Sequence, residues 1–167
     1  MRKSKLWEGD GGQLDNMKRN RFLLEHNQFL EYIRLNSEAE KERIFCGHGL
    51  NHALEVALAA SRMALAEKLP IKEDIVYAAG LLHDIGRWRE YAYGEDHALA
   101  SSKLAVEILR DCGYNLIEEA MILEAINGHR TRRSQNQSLT DILYRSDKIV
   151  RPCALCRARE QCKYHIK

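Results

Sequence analysis

The stretch Ala78-Ala-Gly-Leu-Leu-His-Asp-Ile-Gly86 decides how this chain folds. A run of apolar and small residues leads directly into a histidine and an aspartate, and a glycine follows two residues later. A carboxylate at the end of an apolar helix is costly to bury unless it is paired or bound to a cation, and the neighbouring imidazole offers a second electron pair. The dipeptide His83-Asp84 therefore favours a metal site, although a carboxylate that only accepts backbone amides explains it about as well.

Helical patterns extend on both sides of this stretch, with apolar residues recurring every three or four positions. We predict helices over residues 15–35, 48–69, 72–84, 95–112 and 115–128, and another that opens at Ser138, carries Asp147 and runs toward Pro152. No sustained strand pattern occurs, so the predicted fold class is all-α.

Capping patterns indicate several helix ends. Ser37 with Glu40 predicts the start of a further short helix, because each side chain can satisfy a free backbone amide of the first turn. Asn115 with Glu118 has the same spacing. Gly86 is the predicted C-terminal cap of the helix that carries His83 and Asp84.

The size and composition of the chain fit one folded domain. It has 167 residues, of which 45% are hydrophobic and 30% charged, with only 2 prolines; this composition suits a soluble helical protein. We expect a flexible N-terminal tail over residues 1–13, a single helical domain over 14–152, and a cysteine-rich C-terminal tail over 153–167 that packs on the domain or extends it.

Charge and hydropathy limit the partners that we expect. The 26 basic and 24 acidic residues leave a formal charge of +2, which gives no clear nucleic-acid signal. No uncharged apolar run reaches the roughly 18 residues that a membrane helix needs, and the N-terminus lacks the apolar core of a signal peptide. We therefore expect a cytoplasmic protein with no membrane partner; the sequence does not indicate an oligomeric state.

The order of histidines and aspartates resembles the HD superfamily of metal-dependent phosphohydrolases, whose pattern is H…HD…D. His52 precedes an Ala- and Val-rich helix, the motif HDIG is complete at His83-Asp84, and Asp147 follows in Tyr-Arg-Ser-Asp-Lys, so that the resemblance covers residues 47–151. It implies an HD-domain-like multi-helix bundle. It also implies that His52, His83, Asp84 and Asp147 bind one divalent ion, with His83 and Asp84 at the catalytic centre.

The types of ligand do not identify the metal. Two imidazoles and two carboxylates suit Mn, Mg or Fe and are acceptable to Zn or Ni. His48 lies four residues before His52, and such a pair on one helix face could chelate a metal by itself. We prefer His52 as the ligand because the residues that follow it match the family pattern, which leaves His48 near the substrate.

Other polar residues extend the predicted site. His97 and His129 lie where some family members place histidines that bind a second metal or contact the phosphate, although an exposed histidine explains each as well. A second metal would need a bridging carboxylate, for which Asp84 is the natural candidate. Arg87 and Arg130 are predicted to bind a phosphate oxygen of the substrate, because arginine offers a bidentate donor.

A cysteine cluster ends the chain. Cys153-x2-Cys156-x5-Cys162, with His165 nearby, could form a closed Cys3His zinc site. An iron–sulfur cluster would use the same thiolates, with Cys46 or an outside group as the fourth ligand. The remaining alternative is three reduced thiols on a short final helix or turn over residues 153–164.

The resemblance implies hydrolysis of a small-molecule phosphate ester, either a phosphomonoester or a phosphodiester and most often a nucleotide, by a metal-activated water. Two alternatives remain open. Some relatives in the HD superfamily hold two irons and use dioxygen, which would need His97 and His129 as true ligands. Others are non-catalytic ligand-sensing domains, and the complete ligand set argues against that role here.

Overall fold

The computed structural model describes residues 16–131 and 138–162. These residues form eight α-helices and two short 3-10 helices: α1 (Asn16–Glu25), α2 (Asn27–Ala39), α3 (Leu50–Ala66), α4 (Glu73–Leu82), α5 (Arg87–Tyr93), α6 (His97–Asp111), α7 (Leu116–Gly128) and α8 (Leu139–Ile149), followed by Cys153–Leu155 and Arg159–Gln161. No strand occurs within the described ranges, which confirms the all-α class. The expected tail over residues 1–13 and His165 of the predicted cysteine site lie outside the described residues.

Helix α4 lies at the centre of the single domain. Nearly all of its residues are buried, from Asp74 to Leu82 with the exception of Tyr77, because apolar or small side chains occur on every face. It packs against α1, α3, α6, α7 and α8. Gly80 brings α4 very close to α3, since a Cβ atom at this position would lie 2.4 Å from the Cα of Ala57. This close crossing places the start of α3 beside the end of α4.

The predicted helix over residues 15–35 is two helices. His26 interrupts it with an extended backbone (φ −70°, ψ 126°), and its ring lies 3.3 Å from Asp111 of α6. The predicted helix start at Ser37 is wrong, because α2 continues to Ala39 and the Ser37 hydroxyl donates to the carbonyl of Ile33 in the same helix. Glu40 instead turns toward His48.

The predicted cap at Gly86 is also wrong. Helix α4 ends at Leu82, residues 83–86 form a turn, and Gly86 (φ −94°) is the residue before α5. Its backbone N–H donates to Ser101 Oγ at 2.9 Å, and a Cβ here would lie 2.4 Å from the backbone nitrogen of Ser101. Glycine is needed because α6 packs directly on the turn, and α5 is a helix that the sequence patterns did not predict.

Two other predicted helix ends are confirmed. Asn115 and Glu118 form a complete capping box at the start of α7, and the Ser138 side chain accepts from the amide of Asp141 at the start of α8. None of the helices in the described part of the chain is long and apolar enough to cross a membrane.

A buried ion-pair cluster joins α1, α4 and α7. Arg19 donates to both Asp74 and Glu118, and Lys72 donates to Glu118 at 3.0 Å. Burial alone would raise the pKa of Glu118, but the hydrogen bonds from Arg19, Lys72 and the amide of Asn115 outweigh it and lower that pKa to about 2. The cluster therefore stabilises the domain on the side of α4 that faces α1.

Candidate metal centre

The fold brings together the four residues that the resemblance implied as ligands. His52 lies in the first turn of α3, His83 and Asp84 in the turn after α4, and Asp147 near the end of α8. One donor atom from each lies within 4.8 Å of all the others. His52 Nε2 is 3.3 Å from Asp147 Oδ1, and His83 Nε2 is 3.2 Å from Asp84 Oδ2. Only His52 retains appreciable exposure, at 11% of its side chain.

Three donor atoms at this centre are buried without hydrogen-bond partners, namely His52 Nε2, His83 Nε2 and Asp147 Oδ1, and so is the Oδ1 atom of Asp84. Buried polar atoms are normally paired, and several unpaired ones that converge on one place are costly unless a cation lies between them. The arrangement therefore fits a divalent metal. The mixed nitrogen and oxygen set is compatible with each of the metals considered above.

Backbone carbonyls orient the two most deeply buried imidazoles. His83 Nδ1 lies 2.7 Å from the carbonyl oxygen of Gly80, and His129 Nδ1 lies 2.6 Å from that of Ile126. A carbonyl can only accept, so Nδ1 carries the proton in each ring and Nε2 is free to bind a metal. Burial lowers the pKa of His83, more than the nearby carboxylate of Asp84 raises it, which keeps the ring neutral.

A second cluster shares Asp84. Its Oδ1 atom lies 3.3 Å from His97 Nε2 and 3.6 Å from His129 Nε2, and these three donors also lie within 4.8 Å of one another. His97 is 3% exposed and His129 is 2% exposed, so the alternative of exposed histidines is wrong. Asp84 thus presents Oδ2 to one cluster and Oδ1 to the other, as a carboxylate that bridges two metals does.

The carboxylate of Asp84 is held in its charged form. Burial alone would raise its pKa, yet the neighbouring imidazole of His83 and the charged guanidinium of Arg87 keep it well below its usual range. The pKa of Asp147 is also lowered, because its contacts with His52, His83 and Arg151 outweigh burial and the repulsion from Asp84. Both aspartates therefore offer negative charge to a cation.

His48 and Arg87 lie together at the edge of the centre. Arg87 Nη2 is 3.1 Å from His48 Nε2 and 3.8 Å from Asp84 Oδ2. The ring of His48 lies against Glu40, with Nδ1 2.5 Å from Oε1. His48 precedes α3, which begins at Leu50, so His48 and His52 do not share a helix face and the chelating-pair alternative is not supported.

Three residues that the sequence patterns did not predict support this arrangement. Asn36 of α2 is fully buried; its amide nitrogen donates to the carbonyls of Asp84 and His48, and its oxygen accepts from the amide of Trp88. It therefore links α2 to the loop that carries His48, to the turn that carries Asp84, and to α5. Nothing in the sequence marks this asparagine, because its partners are backbone atoms distant in the chain.

Glu40 and Glu90 are the other two. Glu90 Oε2 accepts from Arg87 at 2.8 Å and lies 2.7 Å from His97 Nδ1. The spacing of three residues from Arg87 to Glu90 is typical of helical ion pairs and could have indicated this contact. Glu40 accepts from the amide of His48 and from the hydroxyl of Tyr91.

Arg130 lies apart from the two clusters in the described contacts. Its guanidinium pairs with Asp96, and its side chain is 45% exposed. The predicted contact between Arg130 and the substrate therefore stays a prediction. Lys148 and Arg151 donate to Oδ2 of Asp147, which leaves the Oδ1 atom of that carboxylate to face the histidines.

Comparison with known proteins identifies the family. The model of the HD domain matches residues 49–152. This chain belongs to the HD-domain family. The match spans all four residues of the first cluster and both histidines of the second, and it supports a metal-dependent hydrolase with a divalent-metal site.

Several relatives of this HD domain are known. An uncharacterized protein of Clostridium beijerinckii is 35% identical over 148 residues, which are 89% of this chain and 93% of that protein. Ribonuclease Y of Clostridium botulinum (strain Hall) is 28% identical over 142 residues, 85% of this chain but 26% of the ribonuclease. The crystal structure of a predicted HD superfamily hydrolase from an uncultured Thermotogales bacterium superimposes with a TM-score of 0.56 at 31% identity, covering 71% of this chain and 66% of the other.

Proposed function

We propose that this HD domain hydrolyses a phosphate ester, namely a phosphomonoester or a phosphodiester of a nucleotide. One observation carries the proposal: two clusters of buried donor atoms meet at the carboxylate of Asp84. In this assignment His52, His83, Asp84 and Asp147 hold one divalent ion, and Asp84, His97 and His129 hold a second. Divalent ions at such a centre lower the pKa of water and neutralise negative charge on a phosphoryl group.

The protein's own groups then position the ester. Arg87 lies beside the shared carboxylate with 16% of its side chain exposed. Burial alone would lower the pKa of Arg87, but the carboxylates of Asp84 and Glu90 outweigh burial and raise that pKa above its ordinary value. The guanidinium therefore stays charged. A charged guanidinium at this place can donate to a phosphoryl oxygen. Its contact with Glu90 holds it on the side of the centre where His97 lies.

His48 shares this edge with Arg87. The carboxylate of Glu40 accepts from its amide and lies against its Nδ1 atom, so the ring cannot rotate freely and Nε2 stays toward Arg87 and Asp84. We assign His48 to substrate binding, since no metal-binding group of the described residues includes it. Its role would be to orient the ester group next to the guanidinium.

The similarity to ribonuclease Y supports a nucleotide substrate. That protein is a ribonuclease by name, and this chain matches 26% of its length. The HD segment is the part that the two proteins share, so a phosphodiester of ribose is a reasonable substrate to test first. A nucleoside monophosphate is the matched monoester.

A di-iron oxygenase is the second candidate, because His97 and His129 both lie at the shared carboxylate as that activity requires. Arg87 beside the centre favours an anionic substrate and hence hydrolysis. A non-catalytic sensing domain is disfavoured, since it has no need of five buried or nearly buried donor residues around the carboxylate of Asp84.

The test combines metal analysis with a panel of phosphomonoesters and phosphodiesters under Mn, Fe, Ni, Mg and Zn. Asp84→Asn keeps the shape of the side chain but removes its charge, and Asp111→Asn removes an exposed carboxylate of α6, 60% of which is accessible. We expect Asp84→Asn to abolish hydrolysis and Asp111→Asn to preserve it. Equal activity in Asp84→Asn, or oxygen consumption with iron in place of hydrolysis, would overturn the proposal.

A further inference from the structure

His83, His97 and His129 differ in what holds the Nδ1 atoms of their rings. Backbone carbonyl oxygens accept from Nδ1 of His83 and of His129, at 2.7 Å and 2.6 Å. His97 Nδ1 instead lies 2.7 Å from a side-chain oxygen, Oε2 of Glu90. A backbone carbonyl belongs to the fold, whereas a carboxylate is one replaceable side chain. The orientation of His97 toward Asp84 therefore depends on a single residue outside both clusters.

Oxygen Oε2 of Glu90 is shared by two donors. Arg87 Nη1 donates to it at 2.8 Å, and His97 Nδ1 lies 2.7 Å from it. Because a carboxylate brings no proton to this contact, the Nδ1 atom of His97 must carry one. Arg87 Nη1 and His97 Nδ1 are themselves only 3.0 Å apart, and two N–H groups repel each other at that distance. The negative charge of Glu90 offsets this repulsion and holds both groups in place.

The proton on Nδ1 leaves the other ring nitrogen of His97 without one. A neutral imidazole has one N–H group and one lone pair, so the lone pair is on Nε2, which lies 3.3 Å from Asp84 Oδ1. Two electron-rich atoms that face each other in this way suit a cation between them. Without Glu90 the opposite tautomer is favoured, because Arg87 would donate to Nδ1 and the Nε2–H group would donate to Asp84. That N–H group would occupy the direction in which a metal must bind.

The backbone around Glu90 is held by contacts that do not involve its carboxylate. Helix α5, which carries Glu90, packs against α6, which begins at His97. Glu95, in the turn between the two helices, accepts from Arg89 at 2.6 Å and from Lys103 at 3.2 Å. Glu90 and Glu95 are similarly exposed, at 30% and 21% of the side chain. Glu95 therefore braces the turn, and Glu90 is left to orient the ring.

We propose that Glu90 is a positioning residue, which sets the tautomer of His97 so that Nε2 binds the second ion, and which keeps Arg87 beside it. This role rests on the proposed function, since that assignment places the second ion between Asp84, His97 and His129. Loss of a carboxylate that orients a metal-binding histidine typically weakens metal binding by about 10–100-fold. We expect that change in the Kd of the second ion alone, because Glu90 contacts Arg87 and His97 rather than a ligand of the first ion.

The first test determines which nitrogen of His97 carries the proton, by nitrogen-15 NMR of the histidine rings in the full, metal-free chain at neutral pH. The His97 signals are identified by their absence in His97→Ala. We expect a proton on Nδ1 in the wild type and in Glu90→Gln, whose amide oxygen can still accept. In Glu90→Leu, which has a similar volume but no acceptor, we expect the proton on Nε2. A purely structural role would not reverse the tautomer.

The second test measures the dissociation constants of the two manganese ions in the same proteins. The constant that belongs to the second ion is the one that His97→Ala removes. We expect this constant to rise by about 10–100-fold in Glu90→Leu and by less in Glu90→Gln. Glu95→Gln, the matched control in the same turn, should leave it unchanged.

A wild-type chain whose His97 has no proton on Nδ1 would overturn the proposal, and this measurement needs no variant to fold. A wild-type chain that binds a single ion, or a Glu90→Leu chain that matches the wild type in tautomer and affinity, would also overturn it. So would a Glu95→Gln chain that loses the second ion as Glu90→Leu does. Expected tautomers and affinities without any hydrolysis would refute the proposed activity and leave the role of Glu90 supported.

Discussion

Replacing Gly80 with alanine tests how the close crossing of α3 and α4 builds the centre. The new Cβ would lie 2.4 Å from the Cα of Ala57 and 2.7 Å from its backbone nitrogen. Ordinary contacts between such atoms need about a further ångström, and the obstacle is backbone that cannot rotate away. The two helices must therefore separate.

The size of the effect follows from two opposing contributions. Alanine in place of glycine in a helix interior gains about 1 kcal/mol, while forcing extra atoms into a packed core costs about 1–3 kcal/mol and at times more. With backbone as the obstacle we expect the upper end, for a net loss of about 2 kcal/mol in the free energy of unfolding. For a chain of this length that lowers Tm by roughly 4–8 °C.

The assay is urea denaturation followed by circular dichroism, with Gly47→Ala as the matched control. A Cβ at Gly47 meets its nearest neighbour, Glu40 Oε2, at 3.5 Å, which is an ordinary contact. We also expect Gly80→Ala to weaken metal binding, since separating the helices moves His52 away from His83. A Gly80→Ala protein as stable as the wild type would refute the close-crossing account.

Three further outcomes are expected. Asn36→Leu should lose about 2–4 kcal/mol of stability in urea denaturation, because its three backbone partners would be left buried without it; stability within error of the wild type would contradict this role. The pKa of Glu118 is about 2 in the folded chain against an ordinary 4.5, so its contribution of up to about 3 kcal/mol is present above pH 4.5 and is lost as the pH falls toward 2. Between pH 4.5 and pH 2, denaturation should therefore show that Glu118→Gln loses less stability than the wild type. An equal loss of stability in the two proteins would count against the ion-pair cluster. His97→Ala should lower bound manganese from about two ions per chain to about one by mass spectrometry, whereas unchanged content would exclude His97 as a ligand.

Local patterns predicted those parts of the fold that depend on neighbours in the chain. The core helices recur at apolar spacing, and the capping box at Asn115 forms because its partner, Glu118, lies one turn away. The same pattern at Ser37 fails, since Glu40 has a stronger partner in His48. Spacing alone cannot show which of two available partners a carboxylate takes.

The residues of the candidate site also differ in how far the sequence could predict them. The resemblance implied each member of the first cluster because it fixes both residue types and their order. A residue whose contacts are made only by tertiary packing, such as Asn36, could not be predicted from the sequence in this way. Asp84 was the natural candidate for a bridging carboxylate, and the structure adds that His97 and His129 both lie beside its second oxygen.

Diffraction from crystals of the protein with manganese, collected to record the anomalous signal of that metal, tests the central claim most directly. We predict one peak among His52 Nε2, His83 Nε2, Asp84 Oδ2 and Asp147 Oδ1, and a second between Asp84 Oδ1 and the Nε2 atoms of His97 and His129. A protein saturated with manganese that shows no anomalous peak touching Asp84 would contradict the account.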